Sequence, residues 1–314
     1  MDKRKGGRRK NPWKVIVAAG LSIYVIVTML IAFVIPRNTV SVNESSKSTG
    51  SRYSASLTST STSAASEAEV TDTSYTSDNL KITITEKTID STQVYIADIE
   101  VTDPSLLLSG LADNKFGRNV TETTSSIAES VNAVLAINGD FYGFRDSGYV
   151  LRNGYLYRDT ASSDSDQEDL VIYEDGNMDI VKESDYTAEE LVEKGAIQIY
   201  SFGPGLVEDG EITVSDTDEV GQSMASNPRT AIGMISTGHY VMIVSDGRTS
   251  ESRGLTLKQL AGVMKDLGCT EAYNLDGGGS TTMYFNGQVI NKPTTNGNKI
   301  SERKVSDIVY FKDK

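Results

Sequence analysis

Hydrophobic and polar positions divide the chain into three unlike stretches. Val15–Ile35 is an uncharged apolar run of 21 residues. As a helix it reaches about 30 Å, enough to cross a bilayer's hydrocarbon core. Residues 36–78 follow, and Asn38–Ser77 is mostly Ser and Thr with few large apolar side chains. Such a segment cannot bury enough surface to offset its ordering entropy, so a spacer stalk is expected. From Asn79 to Lys314 short apolar runs alternate with polar turns, the pattern of one globular domain.

Within that domain, Lys81–Thr85 and Val94–Val101 alternate with a period of two and predict strands. A helix is expected over Thr121–Asn132, then a buried strand over Ala133–Ile137. Asn153-Gly154 and Asp175-Gly176 predict hairpins over Tyr149–Tyr157 and Leu170–Val181. Thr187-Ala-Glu-Glu190 and Thr256-Leu-Lys-Gln259 are capping boxes that open helices, stopped by Gly195 and Gly268. Leu257, Leu260, Met264 and Leu267 share one face of the second. Strands are also expected over Ala196–Phe202, over Thr230–Ser245 around Thr237-Gly238, and over Thr270–Leu275, Thr281–Phe285 and Val305–Phe311. Strands outnumber helices, so the class is α+β with a mixed or antiparallel sheet core.

Charge changes the picture at the N-terminus. Residues 1–14 hold seven Lys/Arg against Asp2. Removing that surplus of six from the net charge of −13 leaves the rest at −19. A basic flank before the apolar run predicts a cytoplasmic tail over 1–14, a transmembrane helix over 15–35 and an extracellular domain. A cleaved signal peptide would have a shorter apolar core of about 7–15 residues and a small-residue cleavage site. Ala32-Phe-Val-Ile-Pro36 offers no such site. The acidic remainder excludes nucleic acid as a partner and requires a local basic site for any anionic ligand. The single cysteine, Cys269, forms no internal disulfide and reads as a buried small hydrophobe. The single histidine, His239, falls at an expected hairpin turn, which argues against a Ser-His-Asp triad or a His-ligated zinc. Asp164–Asp169 reads as a solvated acidic loop. No cofactor is expected; a carboxylate-lined calcium site stays open, without EF-hand spacing.

Four stretches carry candidate chemistry. Asn274-Leu-Asp-Gly-Gly-Gly-Ser280 places Asp276 at a strand end before three glycines, which let backbone approach a ligand or aim N–H groups at an anion. Gly277, Gly278, Gly279 and Ser280 are thus candidate anion contacts. The loop lacks the Gly-Lys-Ser/Thr of a nucleotide P-loop. Asn227-Pro-Arg-Thr-Ala-Ile-Gly233 sets Arg229 before an apolar strand, where its fork suits a phosphate or carboxylate. Ser245-Asp-Gly-Arg248 brings Asp246 and Arg248 to the neighbouring strand end if the Thr237-Gly238 hairpin forms. Asn138-Gly-Asp-Phe-Tyr142 places Asn138 and Asp140 after a buried strand, a usual position for site residues.

Together with Gly254-Leu-Thr-Leu257 and the closing Val305-Ser-Asp307, these stretches resemble the phosphodiester glycosidase domain family, in the family's order across Asn79–Lys314. The resemblance implies hydrolysis of a sugar-1-phosphodiester at the anomeric C–O bond. Arg229, Arg248 and the glycine amides would then hold the phosphate. Asp276 is the first choice for the carboxylate beside the sugar carbon, Asp246 the second and Glu251 a third. Asn138 and Asp140 would orient sugar hydroxyls or the attacking water, and Asn274 would join the substrate- and phosphate-binding residues. The expected substrate is a glycan or phosphoglycan of the cell envelope. The competing readings are a non-catalytic phosphoglycan-binding module in exopolysaccharide or envelope assembly, and a metal-dependent enzyme cutting the P–O bond.

Overall fold

The computed structural model describes residues 12–42, 68–215, 217–218, 226–295, 297 and 299–313. Most of the expected basic tail, and residues 43–67 of the expected stalk, lie outside these. Three antiparallel sheets form the body, which settles the expected mixed-or-antiparallel core in favour of antiparallel pairing among the described strands.

The largest sheet has nine strands, with Arg229–Ser236 and His239–Ser245 near its centre. They pair through the Thr237-Gly238 turn and set Arg229 opposite Ser245. Glu271–Leu275 lies on one side of this hairpin, and Thr92–Val101 followed by Leu80–Ile89 on the other. A five-stranded sheet pairs Leu135–Asn138 with both Asp307–Phe311 and Met283–Phe285. It also includes Leu107–Leu111, a strand the sequence pattern did not announce. The third sheet is built on the two expected hairpins and Ala196–Ser201.

Strand alternation sends successive side chains to opposite faces, and this builds the layers. Ile82, Ile99, Ile137, Tyr200, Ile232 and Phe311 meet in one core where the inner faces of the three sheets converge. Ala231, Val241 and Ile243 face the other way and pack under the helix Leu257–Asp266 through Leu257, Leu260 and Met264. Gly233 lies under that helix because a Cβ there would stand 2.9 Å from Met264 Cε and 2.7 Å from the Glu271 carbonyl. Both capping boxes form as the sequence predicts. The helix expected over Thr121–Asn132 is shorter, Thr124–Ser130, because Thr123 caps it through the Ser126 amide.

Two boundaries differ from expectation. Glu69–Val70 and Ser74–Thr76 already add to the edge of the large sheet, ahead of Asn79. Tyr75 anchors this edge by packing on the core and donating to Asp313. Arg37–Ser41, within the expected stalk, pairs with Lys115–Arg118. Single apolar side chains such as Val42 are enough to dock these edge segments. The acidic loop also differs: Asp169 is fully buried in the strand Glu168–Tyr173.

A helix runs over Pro12–Phe33 at the expected membrane segment. The side chains of residues 12–16, 18 and 32 are outside the description, and among the described residues no helix is long and apolar enough to cross a membrane.

Candidate functional site

The strand Glu271–Leu275 ends at the edge of a cleft of about 170 Å³. Asp276, the next residue, lines it together with Arg229, Arg248, Arg303 and Phe202. The hairpin puts Arg229 at a strand start, and Arg248 follows three residues after the partner strand ends. Arg229 is buried, with Nε donating to the Leu255 carbonyl (3.0 Å). Arg248 adopts a positive φ of 62° and donates through Nε to Asn227 Oδ1 (2.9 Å). The expectation that two arginines and Asp276 gather beside the glycine loop describes this cleft.

Arg303 was not anticipated. It sits in the charged run Ser301–Lys304, just before the strand Asp307–Phe311. Its Nη2 lies 2.7 Å from Asp276 Oδ2, and its Nε and Nη2 reach Ser280 Oγ at 2.9 and 2.5 Å. Ser280 Oγ itself donates to Asp276 Oδ2 at 2.6 Å. Phe202, at the end of Ala196–Ser201, was missed as well; a lone aromatic at a strand end carries no pattern that marks a site.

Electrostatics follow from burial and charge. Three guanidiniums face a single carboxylate, so the cleft is locally cationic within an acidic chain, as an anionic ligand requires. Burial raises the pKa of Asp276 above the ordinary carboxylate value, and the Arg303 charge and the Ser280 hydroxyl oppose that rise. Burial likewise lowers the pKa of Arg248, helped by the like charge of Arg303 and opposed by Asp276. A bound phosphate would relieve this crowding of positive charge. Asn274 donates to the Gly203 carbonyl (2.8 Å), and its Oδ1 is buried with no partner among the described residues. It is an acceptor available to a ligand hydroxyl.

Two amides of the expected anion cradle are engaged within the protein. The Gly278 amide donates to the Pro228 carbonyl (2.8 Å), and the Ser280 amide to Gly277 (3.2 Å). A Cβ on Gly277 would stand 2.7 Å from the Pro228 carbonyl, and one on Gly278 would stand 2.8 Å from Arg248 Nη2. Gly279 packs beside the Thr294 carbonyl in the same way. The bare backbone at these positions lets the Pro228 and Thr294 carbonyls and the Arg248 guanidinium close over the loop.

The other candidates lie outside the cleft lining. Asn138 is buried beneath the loop, donating to the Asp276 carbonyl (2.6 Å) and accepting from Thr230 Oγ1 (2.9 Å). Asp140 belongs to a buried ion cluster, where Arg152 Nη2 is 2.8 Å from both Asp140 Oδ2 and Asp307 Oδ2. Asp140 also accepts from the Ser201 amide (3.1 Å), next to Phe202. Asp246 is taken up by the Lys292 amide (2.8 Å) and Asn291 Nδ2 (3.3 Å). Glu251 is exposed and pairs with Lys292. The hairpin register thus brings Arg229 and Ser245 together as expected, while the Asp246 carboxylate fastens the loop after Met283–Phe285. Among the described residues no group of three or more His, Cys, Asp or Glu side chains is placed to hold a metal ion.

Fold and cleft together define an α+β protein with a cationic site around one buried carboxylate. The profile of the phosphodiester glycosidase family matches residues 131–312. The chain belongs to that family. It is 34% identical over 181 residues to the SPbeta prophage-derived uncharacterized protein YomE of Bacillus subtilis, covering 56% of this chain and 28% of that one. It is 29% identical over 189 residues to human N-acetylglucosamine-1-phosphodiester alpha-N-acetylglucosaminidase, covering 55% and 36%. The chain thus spans about a third of the length of these curated relatives. Its fold is that of the zebrafish N-acetylglucosamine-1-phosphodiester alpha-N-acetylglucosaminidase catalytic domain, auto-inhibited by its pro-peptide (TM-score 0.59, 23% identity, 75% of this chain and 83% of that one). A hypothetical protein from Synechocystis shares it at TM-score 0.53 and 16% identity, over 74% and 62% of the two chains.

Proposed function

We propose that this chain is a membrane-anchored extracellular hydrolase that cleaves the anomeric C–O bond of sugar-1-phosphodiesters in cell-envelope glycopolymers. One observation carries the reading: three arginines converge on a cleft whose lining contains a single carboxylate, Asp276. An ordinary glycoside needs two carboxyl groups, one to protonate the leaving oxygen. A phosphate leaves as a stable anion, so charge stabilisation by Arg229, Arg248 and Arg303 replaces the acid. Asp276 then meets the oxocarbenium-like carbon, either attacking it or drawing a proton from water. Retained configuration in the first sugar released marks attack, and inverted configuration marks water activation. Asn274 Oδ1 takes a sugar hydroxyl. The uncharged run Val15–Ile35 supports the anchor, as do exposed apolar side chains on the helix Pro12–Phe33 such as Leu21, Ile23, Tyr24 and Ile26. The basic residues before it support a cytoplasmic N-terminus.

The test is to incubate the full chain in detergent with an N-acetylglucosamine-1-phosphodiester, with and without EDTA. Free sugar plus an intact phosphate monoester, insensitive to EDTA, is expected. Binding without turnover would identify a phosphoglycan-binding module instead. Loss of turnover with EDTA would point to metal chemistry.

A further inference from the structure

A second cavity, of about 230 Å³, lies beside the cleft. Arg118, Arg145 and Arg158 line it, with Phe116, Tyr142 and Tyr157. The three rings form one stack: Phe116 lies 5.2 Å from Tyr142 and 4.9 Å from Tyr157 between centroids, at interplanar angles of 12° and 22°. Arg158 is fixed by bonds to the Gly148 (2.6 Å) and Arg145 (2.8 Å) carbonyls. Arg118 pairs with Asp146, a lining carboxylate whose side chain is 81% exposed. Arg118 Nε is buried with no partner among the described residues. Three guanidiniums thus face one solvated carboxylate, in a chain whose net charge is −13.

Arg145 joins the two sites. It lines this cavity, and its guanidinium carbon stands 5.3 Å from the centroid of Phe202, which lines the cleft. Clustered guanidiniums bind phosphate oxygens, and aromatic rings beside them pack against the apolar face of a sugar.

We propose that this cavity is a subsite for a neighbouring phosphate-bearing sugar of the substrate, so that the enzyme prefers a polymer of phosphodiester-linked units over a single unit. The inference rests on the proposed activity of the Asp276 cleft and extends it to substrate class. A ligand unit in the cavity and a scissile linkage in the cleft are separated by the Arg145–Phe202 wall. The wall's contact with both sites favours a continuous glycan over an anionic lipid headgroup.

The test compares Arg118→Gln and Tyr157→Leu with the unaltered full chain in detergent. Substrates are a single sugar-1-phosphodiester and an oligomer of phosphodiester-linked sugars. Each variant should raise KM for the oligomer at least about tenfold more than KM for the single unit, the range of one lost charge-assisted contact. An equal effect on both substrates, or none, would overturn the subsite. If Arg118→Gln fails to fold, Tyr157→Leu still gives the readout. In the Asp276→Asn background, calorimetry with hexose 6-phosphate should detect two classes of site, one lost in Arg118→Gln and the other in Arg248→Gln. One class, unaffected by Arg118→Gln, overturns the proposal. Two classes without turnover by the unaltered chain would leave the second site standing and remove the catalytic reading. Competition by phosphatidylglycerol vesicles for the Arg118-dependent class would assign the cavity to lipid and refute the glycan subsite.

Discussion

Replacing Arg303 by alanine removes the guanidinium that, among the described residues, pairs with Asp276 and lines the cleft. Its side chain is 41% exposed, against 12% for Asp276. A hydrogen bond to a charged group contributes about 1.5–3 kcal/mol, and solvent screening at Arg303 puts this pair at the low end. A loss of about 1.5 kcal/mol corresponds to roughly tenfold in kcat/KM. The pH profile carries the sharper information. Burial already raises the pKa of Asp276, and Arg303 is the largest opposing influence. Its removal raises that pKa further. A carboxylate that attacks or activates water must be ionised, so activity falls as pH drops through its pKa. The acidic limb of kcat/KM therefore moves to higher pH in Arg303→Ala, and the deficit narrows as pH rises. Arg303→Lys, which keeps the charge, should lie between. Steady-state rates from pH 4 to 9 on a chromogenic sugar-1-phosphodiester check this. A uniform drop with an unmoved limb, or a limb moved to lower pH, would refute the assigned coupling.

Asp276→Asn should cost at least about 10²-fold in kcat, the range for a lost proton-transfer group. Its melting temperature should stay near that of the unaltered chain, because the amide oxygen still accepts from Ser280 and Arg303; kcat within threefold of normal would remove the site assignment. Gly278→Ala should lose about 1 kcal/mol of stability from its positive φ of 62°. It should also lose about tenfold in kcat/KM, because the new methyl displaces Arg248 Nη2; thermal melts and kinetics report the two effects separately. Glu271→Gln tests a pH effect away from the cleft. Burial, and then the acidic neighbours Asp209 and Glu208, push the Glu271 carboxyl up from 4.5 to about 7, against a hydrogen bond from the Asp209 amide. The folded state holds this proton more tightly than the unfolded state, so its contribution is full below about 4.5 and is lost as pH rises through about 7. Glu271→Gln should flatten the fall in melting temperature between pH 5 and 8; parallel curves would contradict it.

What the sequence disclosed was local. The Thr187–Glu190 and Thr256–Gln259 capping boxes, the Asn-Gly turns and the period of the central strands are set by residues within a turn of one another. The structure places those elements within a few residues of their predicted bounds. The Arg229–Ser245 register follows from a single hairpin turn, so Arg229 could be set beside Asp246 and Arg248 on paper, and Asp276 was joined to them through the family resemblance. Three features depend on contacts far apart in sequence and had no local signal. Asp140 looked like a strand-end site residue, and Arg152 and Asp307 make it part of a buried ion cluster. Asp246 looked catalytic, and a loop more than forty residues on takes up its carboxylate. Arg303 carried no local signal at all, and the chain's return past Gly279 delivers it to Asp276. A charged residue's role here depends on which distant strand it meets.

The central claim is that the cleft breaks the sugar C–O bond and releases the phosphate intact. Hydrolysis in ¹⁸O-enriched water tests it directly, with mass spectrometry of both products after a single turnover. The account predicts label in the phosphate monoester at background and one ¹⁸O in the sugar, read before its anomeric oxygen exchanges with solvent. Label in the phosphate instead would mean attack at phosphorus, and would contradict the role given to Asp276.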